Sequence, residues 1–266
     1  MDQPYKYTAI FDNVVHASNS LEAVDISSAS LEALKPLIPE SVNLERNIDL
    51  VGLAFNAAVV NRFNRNGDGI DSETAVAIKD YFIHKPTNIE HDREQIVGHI
   101  VSASFSRLDE GNELMSPEEA ITTEGGYNIS LGAVVYRTVS KEFADLLAQS
   151  TDEESDYYQT VSASWEVGFN DYVIALGGEE LGGSVIISEK DEIEKYSPYL
   201  KTFGGKGFLK DGTAVNRLIV GDIYPLGIGF TSNPAADVKG VFVKESVPEE
   251  KQEANEPINK IIGDNG

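Results

Sequence analysis

Alternation of apolar and polar side chains within the stretch 158–169 constrains the fold more than any other feature of the sequence. The apolar members are Val161, Ala163, Trp165 and Val167, and the polar members are Ser162, Ser164 and Glu166. Because successive side chains of a β-strand point to opposite faces, the stretch predicts a strand with one face in the core. Ser162 and Ser164 then project together from the other face. Paired serines usually belong to a solvated face, and a nucleophilic role requires an activating base nearby.

The remaining chain predicts more strands than helices. Apolar runs and alternation predict strands over residues 5–16, 49–60, 96–108, 128–138, 217–230 and 241–243. Helical spacing predicts helices over residues 72–83 and 140–149, the second with Ser140 as its N-cap. We therefore expect an α+β fold with a mostly antiparallel sheet and a few flanking helices. Residues 1–244 are expected to form one domain, and residues 245–266 an acidic, mobile tail.

Composition excludes several classes of function. The 266 residues contain no cysteine, which excludes disulfides, thiol nucleophiles and thiolate metal sites. Acidic residues outnumber basic ones by 44 to 21, so the net charge is −23 and nucleic acid is an unfavourable partner. The N-terminus shows no apolar signal core, and no apolar run approaches the roughly 20 residues that span a bilayer. We therefore expect neither nucleic-acid nor membrane binding.

The stretch from Asn88 to Val101 carries the candidate base. It holds two of the four histidines, His91 and His99, and passes from a charged segment into an alternating apolar run. This pattern predicts a loop that leads into a strand, with His91 at the start of the strand. A histidine in that position, flanked by Glu90 and Asp92, is a candidate general base because an unperturbed imidazole titrates near neutral pH. Alone, such a histidine is more often part of a charged surface turn.

Residues 64–71 resemble part of a calcium-binding loop. The residues that match positions one, three, five and six of such loops are Asn64, Asn66, Asp68 and Gly69. Position twelve, however, is Ala75 instead of a bidentate glutamate. The alternative is an Asn-Gly/Asp-Gly turn that starts a helix, with Asp71 or Ser72 as its N-cap. We favour the turn and expect no metal site.

Three blocks, in order, resemble the procapsid (prohead) maturation proteases of tailed bacteriophages, which are distant relatives of the herpesvirus assemblins. The first is His91-Asp92 followed by a strand through Gly98. The second is the strand and helix of residues 128–149 followed by residues 161–165. The third is residues 224–236, Tyr-Pro-Leu-Gly-Ile-Gly-Phe-Thr-Ser-Asn-Pro-Ala-Ala. The resemblance covers residues 50–243 and implies a barrel-like β core.

The resemblance also implies a set of catalytic residues. His91 matches the catalytic histidine of the family, and Ser162 matches its nucleophile. Ser164 replaces a family glycine and is the alternative nucleophile. The acidic position at the head of the third block is Tyr224 here, so Asp222, on the same side of a strand, is the candidate third member. His99 is another candidate, because the herpesvirus relatives use a second histidine.

The function implied by the resemblance is a serine endopeptidase that needs no metal or organic cofactor. Its substrates would be the scaffold and major capsid proteins inside the assembling procapsid, in the host cytoplasm, where the chain would also self-associate. Backbone amides must hold the oxyanion, and the glycine-rich residues 204–207 are candidates. Self-cleavage after Glu40 is a further hypothesis. The alternatives are a catalytically inactive structural protein of capsid assembly and a calcium-regulated module.

Overall fold

A computed structural model describes residues 3–12, 33–108, 111–150, 154–157, 161–231 and 242–244. For Asp12 and residues 242–244 it describes the backbone alone. The predicted tail, residues 245–266, lies outside these ranges.

Eleven strands are described. They are β1 Tyr7–Asp12, β2 Leu50–Val60, β3 Asp68–Gly69, β4 Pro86–Ile89, β5 Asp92–Arg107, β6 Leu114–Met115, β7 Tyr127–Tyr136, β8 Ser162–Gly177, β9 Val185–Ile187, β10 Ala214–Thr231 and β11 Phe242–Lys244. The α-helices of the described ranges are α1 Ser72–Ile78, α2 Pro117–Thr122, α3 Lys141–Ser150 and α4 Lys190–Tyr196. None of these helices is long and apolar enough to cross a membrane.

All the described strands belong to one mixed sheet, which confirms the predicted α+β class. The order along its main path is β1-β8-β10-β4-β5-β7-β2-β11, with β3, β6 and β9 attached to β10, β5 and β8. Strand pairs are antiparallel except that β10 runs parallel to both β3 and β4. The path ends at β1 and at β11 without closing. The predicted barrel-like core is therefore not confirmed.

The core lies between the two halves of this curved sheet. Phe55 of β2 meets Phe230 of β10 edge to face, with ring centroids 5.7 Å apart. Phe143 of α3 packs on the same Phe230 ring at 5.7 Å. Trp165 of β8 is fully buried between the rings of Phe11 and Phe82. We call the sheet face that carries these side chains the inner face and the opposite one the outer face.

The helix ends follow the capping residues of the sequence. Asp71 caps α1 by accepting a hydrogen bond from the Thr74 amide at 2.8 Å, as the turn interpretation predicts. Ser140, the predicted N-cap of α3, accepts one from the Phe143 amide at 3.4 Å. A side-chain oxygen in this position satisfies an amide that has no partner within the helix.

The loop that resembles a calcium site is built around an ion pair instead. Asn64 Oδ1 accepts hydrogen bonds from the amides of Asn66 and Asp68. Both Asp68 oxygens bind the Arg217 guanidinium of β10, at 2.6 Å to Nε and 3.1 Å to Nη2. Burial raises the pKa of the Asp68 carboxyl, and the Arg217 charge opposes that rise. Asn64 Oδ1 and both Asp68 oxygens, three of the oxygens that a cation would need, are thus engaged within the protein.

Arg217 joins this loop to the long strands. It is 1% exposed, and its Cζ lies 4.8 Å from the centroid of the Phe169 ring on β8. A guanidinium over an aromatic face is attracted by the ring quadrupole. One side chain therefore connects β3, β8 and β10 in the interior.

Removal of the Arg217 charge should destabilise the protein strongly. Arg217→Met leaves the Asp68 carboxylate buried without its cation, and breaking such a pair costs about 3–5 kcal/mol. Urea denaturation of the variant would measure this loss in the free energy of unfolding.

Arg62→Met is the matched control, because Arg62 also binds a carboxylate that is distant in the sequence, across an isolated β-bridge. Its partner is Glu180, but the two side chains are 28% and 47% exposed. Exposed pairs contribute at most about 1 kcal/mol. Equal losses in the two variants would contradict the importance of the buried pair.

Candidate active site

The alternating stretch forms β8 as predicted, but its polar face is not solvated. Val161, Ala163 and Trp165 lie in the core. Ser162 and Ser164 project from the outer face, yet they are only 5% and 2% exposed. The expectation of a solvated face is therefore wrong. Since β8 has β1 on one side and β10 on the other, it is an interior strand of the sheet.

The register between β8 and β10 decides which side chains meet the serines. Thr231 lies opposite Ser162, and Gly229 lies opposite Ser164. Directly opposite residues of an antiparallel pair share a face, so these two residues belong to the outer face as well. Gly229 has no side chain and leaves a gap beside Ser164.

The His91 imidazole fills this gap. A Cβ built on Gly229 would lie 2.7 Å from both Cε1 and Nδ1 of the His91 ring. Such a distance is far below van der Waals contact, so the ring occupies the space that only glycine leaves open. His91 therefore lies on the outer face, directly above the residue that pairs with Ser164.

A tight turn brings His91 to this position. Glu90 and His91 form the two-residue connection between β4 and β5, and both have positive φ angles of 52° and 60°. Two positive φ angles are typical of a type I′ hairpin, which normally favours Asn and Gly. The Glu90 amide donates to the Phe230 carbonyl at 2.8 Å, which attaches the turn to β10. Strained non-glycine residues of this kind often mark functional sites.

The geometry favours Ser164 over Ser162 as the partner of His91. Directly opposite residues have Cβ positions about 5 Å apart, whereas diagonal neighbours are about 7–8 Å apart. Ser164 is the direct neighbour of Gly229, and Ser162 is the diagonal one. The Ser162 hydroxyl, moreover, shares a 2.5 Å hydrogen bond with the Thr231 hydroxyl.

Asp222 is not brought to this site. It is exposed, and it lies at a register shift between Val220 and Ile223 of β10, seven residues before Gly229. At about 3.3 Å per residue, the separation along the strand is roughly 20 Å. The sequence correctly places Asp222 on the strand, but its carboxylate cannot orient the His91 ring from there.

His99 has a different environment from His91. It lies on β5, opposite Pro86 of β4, and its Nδ1 is 2.7 Å from the Tyr136 hydroxyl. Burial lowers the pKa of His99, and the nearby charge of His84 lowers it further. This second histidine belongs to a pair with Tyr136 instead of the serine face.

Asp92, beside His91, serves the backbone of β5. Its carboxylate accepts hydrogen bonds from the Glu94 amide at 2.9 Å and from the Gln95 side chain at 2.8 Å. These bonds, the first more than the second, lower the pKa of Asp92. They hold a bulge from which Arg93 reaches Glu166 of β8 at 3.2 Å.

The glycines of residues 204–207 cannot supply an oxyanion hole in this conformation. The amides of Gly204, Gly205 and Gly207 donate to the carbonyls of Lys201, Leu200 and Tyr199, at 2.8–3.0 Å. An oxyanion hole requires amides that are directed at the reacting group instead.

Sequence reasoning missed Gly229, Thr231 and Asn88 as site residues. Gly229 lies within the third block of the family resemblance, but only the register shows what its missing side chain permits. Asn88 opens the histidine stretch and lies beside Gly229 in the parallel pairing of β4 with β10. An asparagine three residues before the candidate base is the one signal in the sequence that could have indicated it.

Comparisons of the chain with protein-family models, curated proteins and solved structures find no match. The resemblance to prohead proteases therefore stays a prediction.

Gly229→Ala should displace the His91 ring. The new methyl group would overlap the ring, and the side chain can rotate away at a cost of about 1 kcal/mol. Carbethoxylation of His91 by diethyl pyrocarbonate, followed by mass spectrometry, should therefore increase in the variant while the fold persists.

Gly182→Ala is the control, because a Cβ there meets no atom within 4 Å. It should leave the reactivity of His91 unchanged. Unchanged reactivity in Gly229→Ala as well would contradict the contact between the ring and Gly229.

Proposed function

We propose that the chain is a serine endopeptidase in which His91 is the general base and Ser164 the nucleophile. The observation that carries the proposal is the position of the His91 ring over Gly229, the residue directly opposite Ser164. A base and a hydroxyl that converge on one face are the minimum that nucleophilic catalysis needs. Ser162, the residue that the family pattern favours, becomes a neighbour that binds Thr231.

The proposed reaction is acyl transfer in two steps. His91 takes the hydroxyl proton as Ser164 Oγ attacks the peptide carbonyl, and it then gives that proton to the leaving amine. Water, deprotonated by the same imidazole, hydrolyses the acyl-enzyme and regenerates the serine hydroxyl. The histidine and the serine undergo no net change, so the cycle balances without a metal or an organic cofactor.

We propose that the substrates are the scaffold and major capsid proteins of a phage procapsid. This part rests on the resemblance alone. Self-cleavage after Glu40 would further require local opening, because Ile38 is buried and Glu40 begins a 3₁₀ helix, Glu40–Val42. Proteases generally bind their substrates as extended strands, and a buried turn must first unfold.

Burial of the serines favours a second candidate function, an inactive structural protein of capsid assembly. Ser164 is 2% exposed, so a peptide can reach its hydroxyl only after the surrounding chain moves. An enzyme would undergo that movement with its substrate, whereas a structural protein would have no need of it.

Co-expression with the cognate scaffold and capsid proteins tests both candidates. Ser164→Ala and His91→Ala should each reduce cleavage by about 10³-fold or more, as expected when a catalytic unit loses one member. Ser162→Ala is the matched control, since it removes a buried serine from the same face of the same strand. It should retain cleavage.

Full cleavage by Ser164→Ala would contradict the proposed nucleophile, and loss in Ser162→Ala alone would return that role to Ser162. No cleavage by the wild type, with both substrates present and folded, would favour the structural candidate.

A further inference from the structure

Asn88 of β4 is a buried polar side chain whose position the proposed dyad leaves unexplained. It is 6% exposed, and its Oδ1 has no hydrogen-bond partner among the described residues. A buried acceptor without a partner is costly, and native proteins retain such groups where a function compensates.

The register places Asn88 next to the candidate base. Asn88 is the partner of Gly229 in the parallel pairing of β4 with β10. Ile89, its neighbour in the chain, lies in the core. Because side chains alternate along a strand, Asn88 lies on the outer face, where the His91 ring covers Gly229.

Three adjacent strands thus present one row across the outer face. Ser164 lies on β8, Gly229 with the imidazole above it on β10, and Asn88 on β4. By register, the imidazole over Gly229 therefore lies between the strand positions of Ser164 and Asn88. This order matches the arrangement in which one ring nitrogen faces the nucleophile and the other faces an orienting group.

We infer that Asn88 is the positioning residue of the catalytic histidine. In solution its side-chain oxygen would accept the N–H of the ring nitrogen that is turned away from Ser164, a hydrogen bond that the structure itself does not contain. That bond fixes the tautomer in which the other nitrogen is unprotonated and able to take the serine proton. The inference rests on the proposed function and supplies the third member that the sequence assigned to Asp222.

Two carboxylates near the site, those of Asp92 and Glu166, have other partners among the described residues. Asp92 holds the Glu94 amide and the Gln95 side chain. Glu166, on the serine side, pairs with Arg93. Asn88 is a buried acceptor without a partner among the described residues, and the register places it on the side of Gly229 opposite Ser164.

The direct test is the tautomer of His91, read from the ring nitrogens by NMR of protein labelled with ¹⁵N-histidine. The His91→Gln variant assigns the signals, since the chain has only four histidines. The wild type should show one dominant neutral tautomer, and Asn88→Ala should show a mixture. Asn88→Asp should restore the single tautomer, because a carboxylate oxygen can accept the same proton.

Thr87→Val is the matched control. Thr87 precedes Asn88 on β4, is fully buried and has a hydroxyl without a partner among the described residues. Alternation places it on the other face, so the variant should keep the wild-type tautomer. An identical tautomer in the wild type and Asn88→Ala would overturn the inference.

A second measurement separates this inference from the proposed function. The rate of Ser164 labelling by a fluorophosphonate should fall at least about 10-fold in Asn88→Ala, because a histidine without its orienting partner populates the wrong tautomer. Labelling at the wild-type rate would overturn the positioning role. If the wild type is never labelled but the His91 tautomer still depends on Asn88, the proposed peptidase function is contradicted. The hydrogen bond between Asn88 and His91 is then supported.

Discussion

The antiparallel pairing of β8 with β10 is the constraint on which the candidate site depends. The two strands have 16 and 18 residues and pair from Ala214 opposite Gly177 to Thr231 opposite Ser162. A slip of one residue would turn Trp165 outward and the serines inward. The ring centroids of Phe11 and Phe82 lie 5.1 and 4.6 Å from that of Trp165. A slip in register would break these contacts and destabilise the fold. Aromatic burial on the inner face therefore sets the geometry of the outer face.

The other half of the site depends on the parallel pairing of β4 with β10. That pairing carries the strained turn of Glu90 and His91 to the end of β10 and attaches it through the Phe230 carbonyl. Two left-handed non-glycine residues cost roughly 1–3 kcal/mol each, and the strand ladders on either side compensate. The strain positions an imidazole where a regular strand could not place one.

Much of the fold could be predicted from the sequence. Alternation over residues 161–167 identified the inner and outer faces of β8, and Asp71 and Ser140 identified the starts of α1 and α3. These features depend on neighbours in the chain, where periodicity and capping act directly. Closure of the sheet into a barrel could not be predicted in this way, because closure depends on pairing between the distant ends of the sheet.

The site could be predicted only in part, for the same reason. His91 and the two serines were identified by residue type and by their place on strands. The choice between Ser162 and Ser164 depends on which residue lies opposite Gly229, and no local pattern encodes that register. Asp222 lies seven residues before Gly229 on β10, a separation that the sequence pattern leaves open because strand alternation indicates a face but not a distance. Burial of the serines likewise depends on strands that are remote in sequence.

The measurement that tests the account most directly is a crystal structure of the protein after reaction with a fluorophosphonate. The account predicts phosphorus bonded to Ser164 Oγ, with the His91 ring between that oxygen and the Asn88 amide. Phosphorus on Ser162, or an imidazole that lies away from Gly229 in the adduct, would contradict it.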